Sequence, residues 1–470
     1  MSTTTPHAAL TDLWTAAGLP PSACSRADLP ASEPALPSSF AVATALQASL
    51  GAAALAAAEL GRLRGGPGQR VAVAAADVLC ESAAHFTLDG RKPDIWDPLS
   101  GLYACGGDVG SPGWVRIHAN FAHHRDGALC LLGLPPGPQT PRAQVAQALR
   151  GWRATDFEQA AADAGLVVAA ARTFDEWDAH PQAAALAVQP LVAFERIGDA
   201  PPQPLPALAA GAPPLQGVRV LDLTRILAGP VAGRTLAAYG ADVMLVNGPH
   251  LPNIESIADT SRGKLSAHVD LRSDAGRDTL RTLVQGADVF LQGYRPGALA
   301  ARGFDAASLT RRKPGLVCVS LSAYGEQGPW AGRRGFDSLV QTATGFNHAE
   351  GLAFAAPEPK ALPLQVLDYS AGFLLAFGAA AGLWKRATEG GSWQVRVTLA
   401  RTGLWLRRLG RCSDFAEVSK PDVGERIETS ASGFGELGAV RHAARFSHTP
   451  PAWTRPSMPP GSHPPAWPAR

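Results

Sequence analysis

The segment VRVLDLTRILAGPVAGRTLAAYGADVMLV, residues 218–246, decides the fold class. It contains two β-rich runs separated by a helical stretch, residues 230–239, whose first turn carries Pro230. A second helical stretch at 273–284 opens on a serine cap. The runs that predict strands are 218–223, 242–246, 266–271, 289–292 and 316–321. Alternating strands and helices predict an α/β fold with a Rossmann-like, mostly parallel sheet in a large domain.

Composition limits the class of protein and its partners. The chain has 470 residues, 46% of them hydrophobic and 17% charged, which predicts a soluble globular protein of more than one domain. A net charge of +2 predicts no strong attraction to nucleic acid or to an anionic membrane. The apolar stretches 41–60 and 371–384 are rich in alanine and glycine, so we expect them to be buried helices.

Cysteine usage and the N-terminal segment bear on location. The six cysteines contain no CxxC pair, which favours a reducing compartment over a disulfide scaffold or a zinc ribbon. The first residues, MSTTTPHAALTDLW, show no basic region followed by an apolar core. We therefore expect a cytoplasmic protein.

Proline-rich and alanine-rich stretches divide the chain. The stretch 201–216 predicts a linker, and the last residues, PPAWTRPSMPPGSHPPAWPAR, exclude a helix or central strand and predict an extended surface arm or disorder. The expected parts are a leader at residues 1–37, a first part at 38–200 that includes a small α+β domain, and the linker at 201–216. The large domain follows at 217–411 and a Pro-rich tail at 412–470.

An internal similarity links the two large parts. Residues 50–79 resemble residues 374–403, each a predicted apolar helix, a glycine turn and an alternating strand. In the same register, position 368 of the second copy corresponds to position 44 of the first. Asp368 therefore corresponds to Thr44, and the first copy lacks its carboxylate.

Asp368 lies in LPLQVLDYSAGFLLAFGAAAGLW, residues 362–384, where two apolar runs join. One interpretation is that it is the N-cap of the second run, accepting bonds from unpaired helix N–H groups. The other is that the same N–H groups and the helix dipole keep the carboxylate ionised as a nucleophile. The residue alone does not separate these roles.

Two further observations argue against a nicotinamide-binding site and a metal site. The predicted strand at 218–223 is not followed by GxGxxG, which argues against a nicotinamide-binding site. His118, His123, His124 and Asp126 lie close together, but their spacing favours a loop and helix start over a metal site, so we expect no metal.

Five blocks, taken in order, resemble the class III CoA-transferases, a family that includes formyl-CoA transferase, carnitine CoA-transferase and α-methylacyl-CoA racemases. The blocks are the segment at 218–246, SRGKLSAHVDL, GADVFLQGYRPGALAARGF, LVCVSLSAYGEQGPW and GFDSLVQTATG. The resemblance covers residues 214–411 and places Asp368 at the catalytic aspartate of the family. The first part resembles later family segments moved forward, which suggests a permuted or part-duplicated order. A homodimer, or one chain that mimics an interlocked dimer, is expected.

The resemblance implies transfer of CoA from an acyl-CoA to a carboxylic acid through a mixed anhydride on Asp368. CoA is then a substrate, and no permanently bound cofactor is expected. Backbone N–H groups after Asp368 are expected to stabilise oxyanions. The residues expected to contact CoA are Leu227, Ala228, Lys264, Arg295, Arg302, Tyr324 and Gly325.

Several positions depart from the family pattern. Racemases of the family carry a histidine where this chain has Phe336, which removes an acid/base partner. Arginines or other family residues that contact CoA are replaced at Gly248, Ala301 and Leu265, so Arg225, Lys264, Arg295 and Arg302 are the remaining candidates for the phosphates. A racemase or isomerase, and a catalytically weak acyl-CoA-binding protein, remain as alternatives.

Overall fold

A computed structural model describes residues 3–469 of the chain. The α-helices in this range are α1 Pro6–Ala16, α2 Val42–Leu63, α3 Ala75–Glu81, α4 Ala122–Leu131, α5 Arg142–Leu149, α6 Ala154–Asp163, α7 Phe174–Asp178, α8 Pro181–Ala187, α9 Ala228–Ala238, α10 Ile257–Thr260, α11 Asp274–Gly286, α12 Ala306–Arg312, α13 Asp337–Ala343, α14 Phe346–Ala353, α15 Val366–Thr388 and α16 Leu399–Arg408.

The strands are β1 Ala27–Asp28, β2 Val71–Val73, β3 Phe86–Leu88, β4 Gly101–Cys105, β5 Gly113–Ile117, β6 Val168–Ala170, β7 Val192–Gly198, β8 Arg219–Leu223, β9 Asp242–Asn247, β10 Lys264–His268, β11 Val289–Gln292, β12 Val317–Ser322, β13 Ser392–Thr398, β14 Ile427–Ser432, β15 Gly435–Val440 and β16 Ala444–Phe446.

The largest sheet has seven strands in the order β10-β9-β8-β11-β12-β13-β7. Neighbours are parallel except β7, which is antiparallel to β13. All five strands predicted from the sequence are present, although β10 begins at Lys264, two residues before the predicted start. Ser273 caps α11 as predicted, its hydroxyl accepting from the N–H of Gly276. The α/β fold with a mostly parallel sheet is confirmed.

Both faces of this sheet are buried. Successive side chains of a strand point to opposite sides, so each strand contributes residues to two separate cores. On one face Val220, Val289 and Val395 pack in a core with α2, α9 and α15. On the other face Leu221 and Phe290 pack against α11 and α12. Helices therefore cover the sheet on both sides, and its strand ends are left to form a site.

Helices α2 and α15 are the two copies of the predicted repeat. The register that pairs Leu50 with Leu374 also pairs the first residue of α2, Val42, with the first residue of α15, Val366. Both helices are long and apolar enough to cross a membrane by length and composition, but they are 100% and 94% buried inside the protein. They contact each other along their length, as expected for buried core helices.

The first half of the chain also forms a small α+β layer. Strands β4, β5 and β6 make an antiparallel sheet, and α4, α5 and α6 pack on it around Tyr103, Val115 and Phe157. One face of β5 contacts α13 of the second half. Residues 201–216 form no helix or strand in the structure.

The C-terminal segment contributes strands to the first half. β15 pairs with β3, and β16 pairs with β2. Residues 447–469 then form an extended arm on the surface, as predicted, without a helix or strand. Its indoles donate to backbone oxygens of the large domain, Trp453 to Arg234 at 2.9 Å and Trp467 to Leu283 at 2.8 Å.

Candidate active site

Asp368 is the third residue of α15, and Gln365 holds the N-cap position. The prediction that Asp368 is the N-cap is therefore wrong. The helix starts earlier because Val366 and Leu367 are apolar and fully buried in the core, so they are already helical. Asp368 is 8% exposed, and its backbone N–H donates to Oδ2 of Asp337 at 2.9 Å.

Asp337 places a second carboxylate beside Asp368. It is the first residue of α13, is fully buried and also accepts from the side-chain amide of Gln341. Burial raises the pKa of Asp337 to about 7, against hydrogen bonds that lower it. Burial and the charge of Asp337 both raise the pKa of Asp368. The helix start therefore does not hold Asp368 ionised as expected, because two buried carboxylates compete for one negative charge.

The backbone N–H groups near Asp368 have partners. The N–H of Asp368 donates to Asp337, and the N–H of Tyr369 donates to the carbonyl oxygen of Gln365 at 3.1 Å. They are thus occupied, and the expectation that they stabilise an oxyanion does not fit this geometry. The amide of Gln365 faces the same cavity as Asp368 and carries a donor.

The Asp368 cavity is a partly open space of about 160 Å³ lined by both halves of the chain. The second half contributes the turn after β8 and the start of α15, and the first half contributes the segments around residues 82–84, 95–96 and 118–120. Its polar wall residues are Ser82, His118, Asn120, Ser256, Gln365 and Asp368. Its apolar wall residues include Ile95, Trp96, Ile226, Leu227, Ile254, Phe336, Leu364 and Tyr369.

His118 was not predicted as a residue of this site. Its ring stacks on Phe336 with centroids 4.1 Å apart, so an imidazole lies beside the residue that replaces the histidine expected of racemases. Burial, and then nearby His124 and Arg116, lower the pKa of His118 to about 3, which leaves the ring neutral. The available signal was its spacing to Asn120, since residues two apart on an extended segment share a face.

The arginine cleft is a second, larger space of about 470 Å³ next to the Asp368 cavity. Ile226 and Phe336 line both spaces and form the wall between them. Ile226 has φ of 77°, a left-handed conformation that a β-branched residue rarely adopts. Strained backbone of this kind is concentrated at functional sites.

Four cations of the cleft have no acidic partner. Within residues 3–469, Arg225, Arg295, Arg302 and Arg334 form no ion pair within 4.0 Å. Burial lowers the pKa of Arg225, and burial followed by the charge of Arg295 lowers that of Arg334. The cleft lies beyond the carboxyl ends of β8, β9 and β11, where open α/β sheets bind ligands. This arrangement fits an anionic ligand.

The structure brings together part of the predicted CoA-contacting set. Arg295 and Arg302 line the arginine cleft, as does Gly248. Leu227 lines the Asp368 cavity, and Ala228 follows it as the first residue of α9. Ala228 itself lines neither space.

Lys264 does not reach the cleft, so its assignment to the phosphates does not fit the structure. It is 0% exposed, and its Nζ lies 2.9 Å from Oδ2 of Asp222 and 2.8 Å from the carbonyl oxygen of Pro230. Its side chain lies between the sheet and α9, where Gly233 leaves room: a Cβ there would be 2.7 Å from Nζ. Lys264 is a structural ion-pair partner.

Tyr324 and Gly325 line neither space. The ring of Tyr324 packs against Trp330, with centroids 4.9 Å apart, and is buried. Gly325 lies against Leu186 of the first half. The glycine-rich loop after β12 turns toward α8, because Gln182 donates to the carbonyl oxygens of Tyr324 and Gln327.

Comparisons with known proteins identify similar sequences. The sequence model of CoA-transferase family III matches residues 215–433. An acyl-CoA transferase of Gibberella moniliformis is 33% identical over 302 residues, which are 61% of this chain and 53% of the relative. A succinate–glutarate CoA-transferase of Agrobacterium fabrum is 37% identical over 173 residues, 33% of this chain and 42% of the relative.

The similarity is partial in length. The chain spans about half the length of the curated relatives it matches, 53% of the first and 34% of an acetyl-coenzyme A transferase of Hypoxylon pulicicidum. A crystal structure of a hypothetical protein from Mycobacterium tuberculosis is 33% identical, with a TM-score of 0.39 over 42% of this chain and 57% of that one. Residues 215–433, which match the model of CoA-transferase family III, carry Asp368 and the four arginines of the cleft.

Proposed function

We propose that the protein transfers CoA between an acyl-CoA thioester and a carboxylic acid, with Asp368 as the nucleophile. The observation that carries the proposal is a buried carboxylate on a small cavity that shares a wall with a cleft of unpaired arginines. A carboxylate next to an anion-binding cleft suits a substrate with a reactive carbonyl at one end and phosphates at the other.

In this proposal the phosphates of CoA occupy the arginine cleft. Arg225, Arg295, Arg302 and Arg334 supply charge that no carboxylate of the described residues neutralises, so binding a phosphate would not require breaking an existing ion pair. The pantetheine arm then passes Ile226 and Phe336 to reach Asp368. The thioester carbonyl would lie in the Asp368 cavity.

The chemistry follows from one ionised carboxylate. Asp368 attacks the thioester carbonyl carbon, the C–S bond breaks, and CoA leaves as the thiolate with its electron pair. The thiolate then attacks the aspartyl carbonyl of the mixed anhydride and releases the donor acid, leaving CoA on Asp368. The acceptor carboxylate attacks the carbonyl carbon of that thioester and expels the thiolate, and a second mixed anhydride forms. The thiolate then attacks the acceptor carbonyl carbon, and Asp368 leaves as the free carboxylate.

Asp337 is proposed to hold the proton that must leave Asp368. The Asp337 carboxylate accepts from the backbone N–H of Asp368, so the two residues are adjacent; burial raises both pKa values, and the charge of Asp337 raises that of Asp368 further. When the shared proton lies on Asp337, Asp368 is free to attack. Asp337 is thus a positioning residue that also sets the charge of the nucleophile.

Isotope exchange tests the proposal without knowledge of the natural acceptor. The protein is incubated with an acyl-CoA and the ¹³C-labelled acid of the same acyl group, and mass spectrometry follows label entering the thioester. We expect exchange by the wild type and none by Asp368→Asn, since an amide forms no anhydride. Hydroxylamine should leave a hydroxamate on the peptide that contains Asp368.

Binding provides the matched control. Asp368→Asn should bind CoA with a dissociation constant close to that of the wild type, because the arginine cleft is untouched. Exchange by Asp368→Asn, or a hydroxamate on another residue, would contradict the assigned nucleophile. Binding of CoA without exchange by the wild type would favour a catalytically weak acyl-CoA-binding protein.

A second candidate function is isomerisation at the acyl α-carbon, favoured by the presence of His118 in the same cavity as Asp368. Racemisation needs an acid/base group on each side of that carbon, and His118 and Asp368 both line the cavity. Incubation of a 2-methylacyl-CoA in D₂O separates the two functions. Deuterium at the α-carbon without exchange of the labelled acid would select the isomerase.

A further inference from the structure

We infer that the acyl group handled at Asp368 is small, on the order of six non-hydrogen atoms, and carries no charge of its own. The inference rests on the proposed function, because it takes the Asp368 cavity as the place where the acyl group lies. It adds the substrate class, which depends on the volume of that cavity and on the character of its wall.

The volume sets the size. The Asp368 cavity has about 160 Å³, and a protein cavity of about 150 Å³ is known to hold one benzene molecule. Butyryl, isobutyryl and crotonyl groups fall within that volume. A fatty acyl chain does not, because protein interiors are packed too densely to admit extra methylene groups without strain.

The wall sets the charge. Among the described residues, the cavity wall includes the carboxyl group of Asp368 but no lysine or arginine. Arg116 acts on Asp337 from β5, yet it is not part of the wall. A second carboxylate on the substrate would therefore add a negative charge beside Asp337 and Asp368 without a cation to balance it.

The polar wall groups fit a neutral ligand. Asn120 is already engaged, its amide donating to the carbonyl oxygen of Ile95 at 3.0 Å and its oxygen accepting from Ser100 at 2.7 Å. These bonds fix the loop that carries Ile95 and Trp96 against the cavity. The hydroxyl of Ser82 and the amide of Gln365 remain as neutral groups.

Trp96 is the exposed tryptophan of the cavity wall. It is 40% exposed, and its indole lies edge-on to His118 with ring centroids 5.8 Å apart. Its exposure means that truncation opens the wall without emptying a buried core site. Trp96 is therefore the residue that limits acyl length in this inference.

The test compares isobutyryl-CoA, succinyl-CoA, palmitoyl-CoA and free CoA. Isothermal titration calorimetry gives the dissociation constants, and exchange with the matching ¹³C-labelled acid gives kcat/KM. We expect isobutyryl-CoA to bind tighter than free CoA. We expect the succinyl and palmitoyl thioesters to have kcat/KM values at least 100-fold lower than isobutyryl-CoA.

Two tryptophan variants test the wall. Trp96→Ala should raise kcat/KM for palmitoyl-CoA relative to isobutyryl-CoA at least tenfold. Trp467 is a half-buried tryptophan of the C-terminal arm that lines neither space, so the control variant Trp467→Ala should leave this ratio unchanged. Equal or better use of succinyl-CoA or palmitoyl-CoA by the wild type would overturn the inference while supporting CoA transfer. If no donor gives exchange, the proposal of CoA transfer is wrong. The dissociation constants still test the inference, which then requires isobutyryl-CoA to bind tighter than succinyl-CoA, palmitoyl-CoA and free CoA.

Discussion

Lys264 and Arg225 are expected to respond to substitution in opposite ways. The Lys264 amine and the Asp222 carboxylate are both 0% exposed and lie 2.9 Å apart. Lys264→Met leaves the Asp222 carboxylate buried with bonds only from Thr224. Removing one partner of a buried ion pair costs about 3–5 kcal/mol in the free energy of unfolding. CoA binding should stay nearly unchanged, because Lys264 does not line the cleft.

Arg225→Ala should show the converse. Arg225 has no carboxylate partner within 4.0 Å among residues 3–469, so its loss breaks no ion pair. A charged hydrogen bond to phosphate contributes about 1.5–3 kcal/mol, which corresponds to a roughly 10- to 150-fold weaker dissociation constant. The free energy of unfolding should change by less than about 1 kcal/mol.

Urea denaturation and calorimetry with CoA measure both quantities on the same preparations. The double variant Lys264→Met with Asp222→Asn should recover part of the lost stability, since the uncompensated charge is gone and both Thr224 bonds can persist. A tenfold loss of CoA affinity in Lys264→Met at unchanged stability would refute this reasoning. So would full CoA affinity in Arg225→Ala.

Further expectations concern pH and backbone strain. Burial raises the pKa values of Asp337 and Asp368, and the charge of Asp337 raises that of Asp368 further, so the exchange rate should rise with pH through neutrality. A pH–rate profile of Asp337→Asn should shift to lower pH, because the neighbouring charge is gone. Burial opposes ionisation of Glu81, but His442 and Arg234 hold its pKa at about 2, below its ordinary 4.5. This stabilisation is therefore present above pH 4.5 and is lost as pH falls toward 2, and urea denaturation should show that Glu81→Gln loses more stability at pH 7 than at pH 3. Ile226→Gly should keep the free energy of unfolding within about 1 kcal/mol, because relief of the left-handed strain offsets lost burial, while exchange slows as the wall opens.

The sheet could be predicted because its signals are local. Each predicted strand is a short apolar run bounded by turn residues, and the serine cap of α11 follows from one side chain and one N–H. The start of α15 could not be placed to within two residues, because burial of Val366 and Leu367 by distant parts of the chain decides it. Tertiary packing therefore overrode the capping preference of Asp368.

The sequence predicts arginines of the cleft but not the first-half residues that line the Asp368 cavity. Arg295 and Arg302 follow β11, so the rule for strand ends located them. The sequence around a lysine at a strand start does not indicate whether the side chain faces solvent or a buried aspartate. The assignment of Lys264 to the phosphates is wrong for this reason, since it pairs with Asp222 beneath a helix. His118 and Trp96 lie more than 200 residues before Asp368, and only the fold brings them to it.

The repeat accounts for how one chain encloses the site. Thr44 corresponds to Asp368, and its N–H donates to the carboxylate of Glu33 at 2.8 Å, as the Asp368 N–H donates to Asp337 at 2.9 Å. Both copies thus start their helix against a carboxylate, half-buried Glu33 in the first and fully buried Asp337 in the second, but the first copy has Thr44 in place of the Asp368 carboxylate. Because α2 packs along α15, the first copy is held where its following segments reach the Asp368 cavity. The first copy supplies wall and support, and the second supplies the proposed nucleophile.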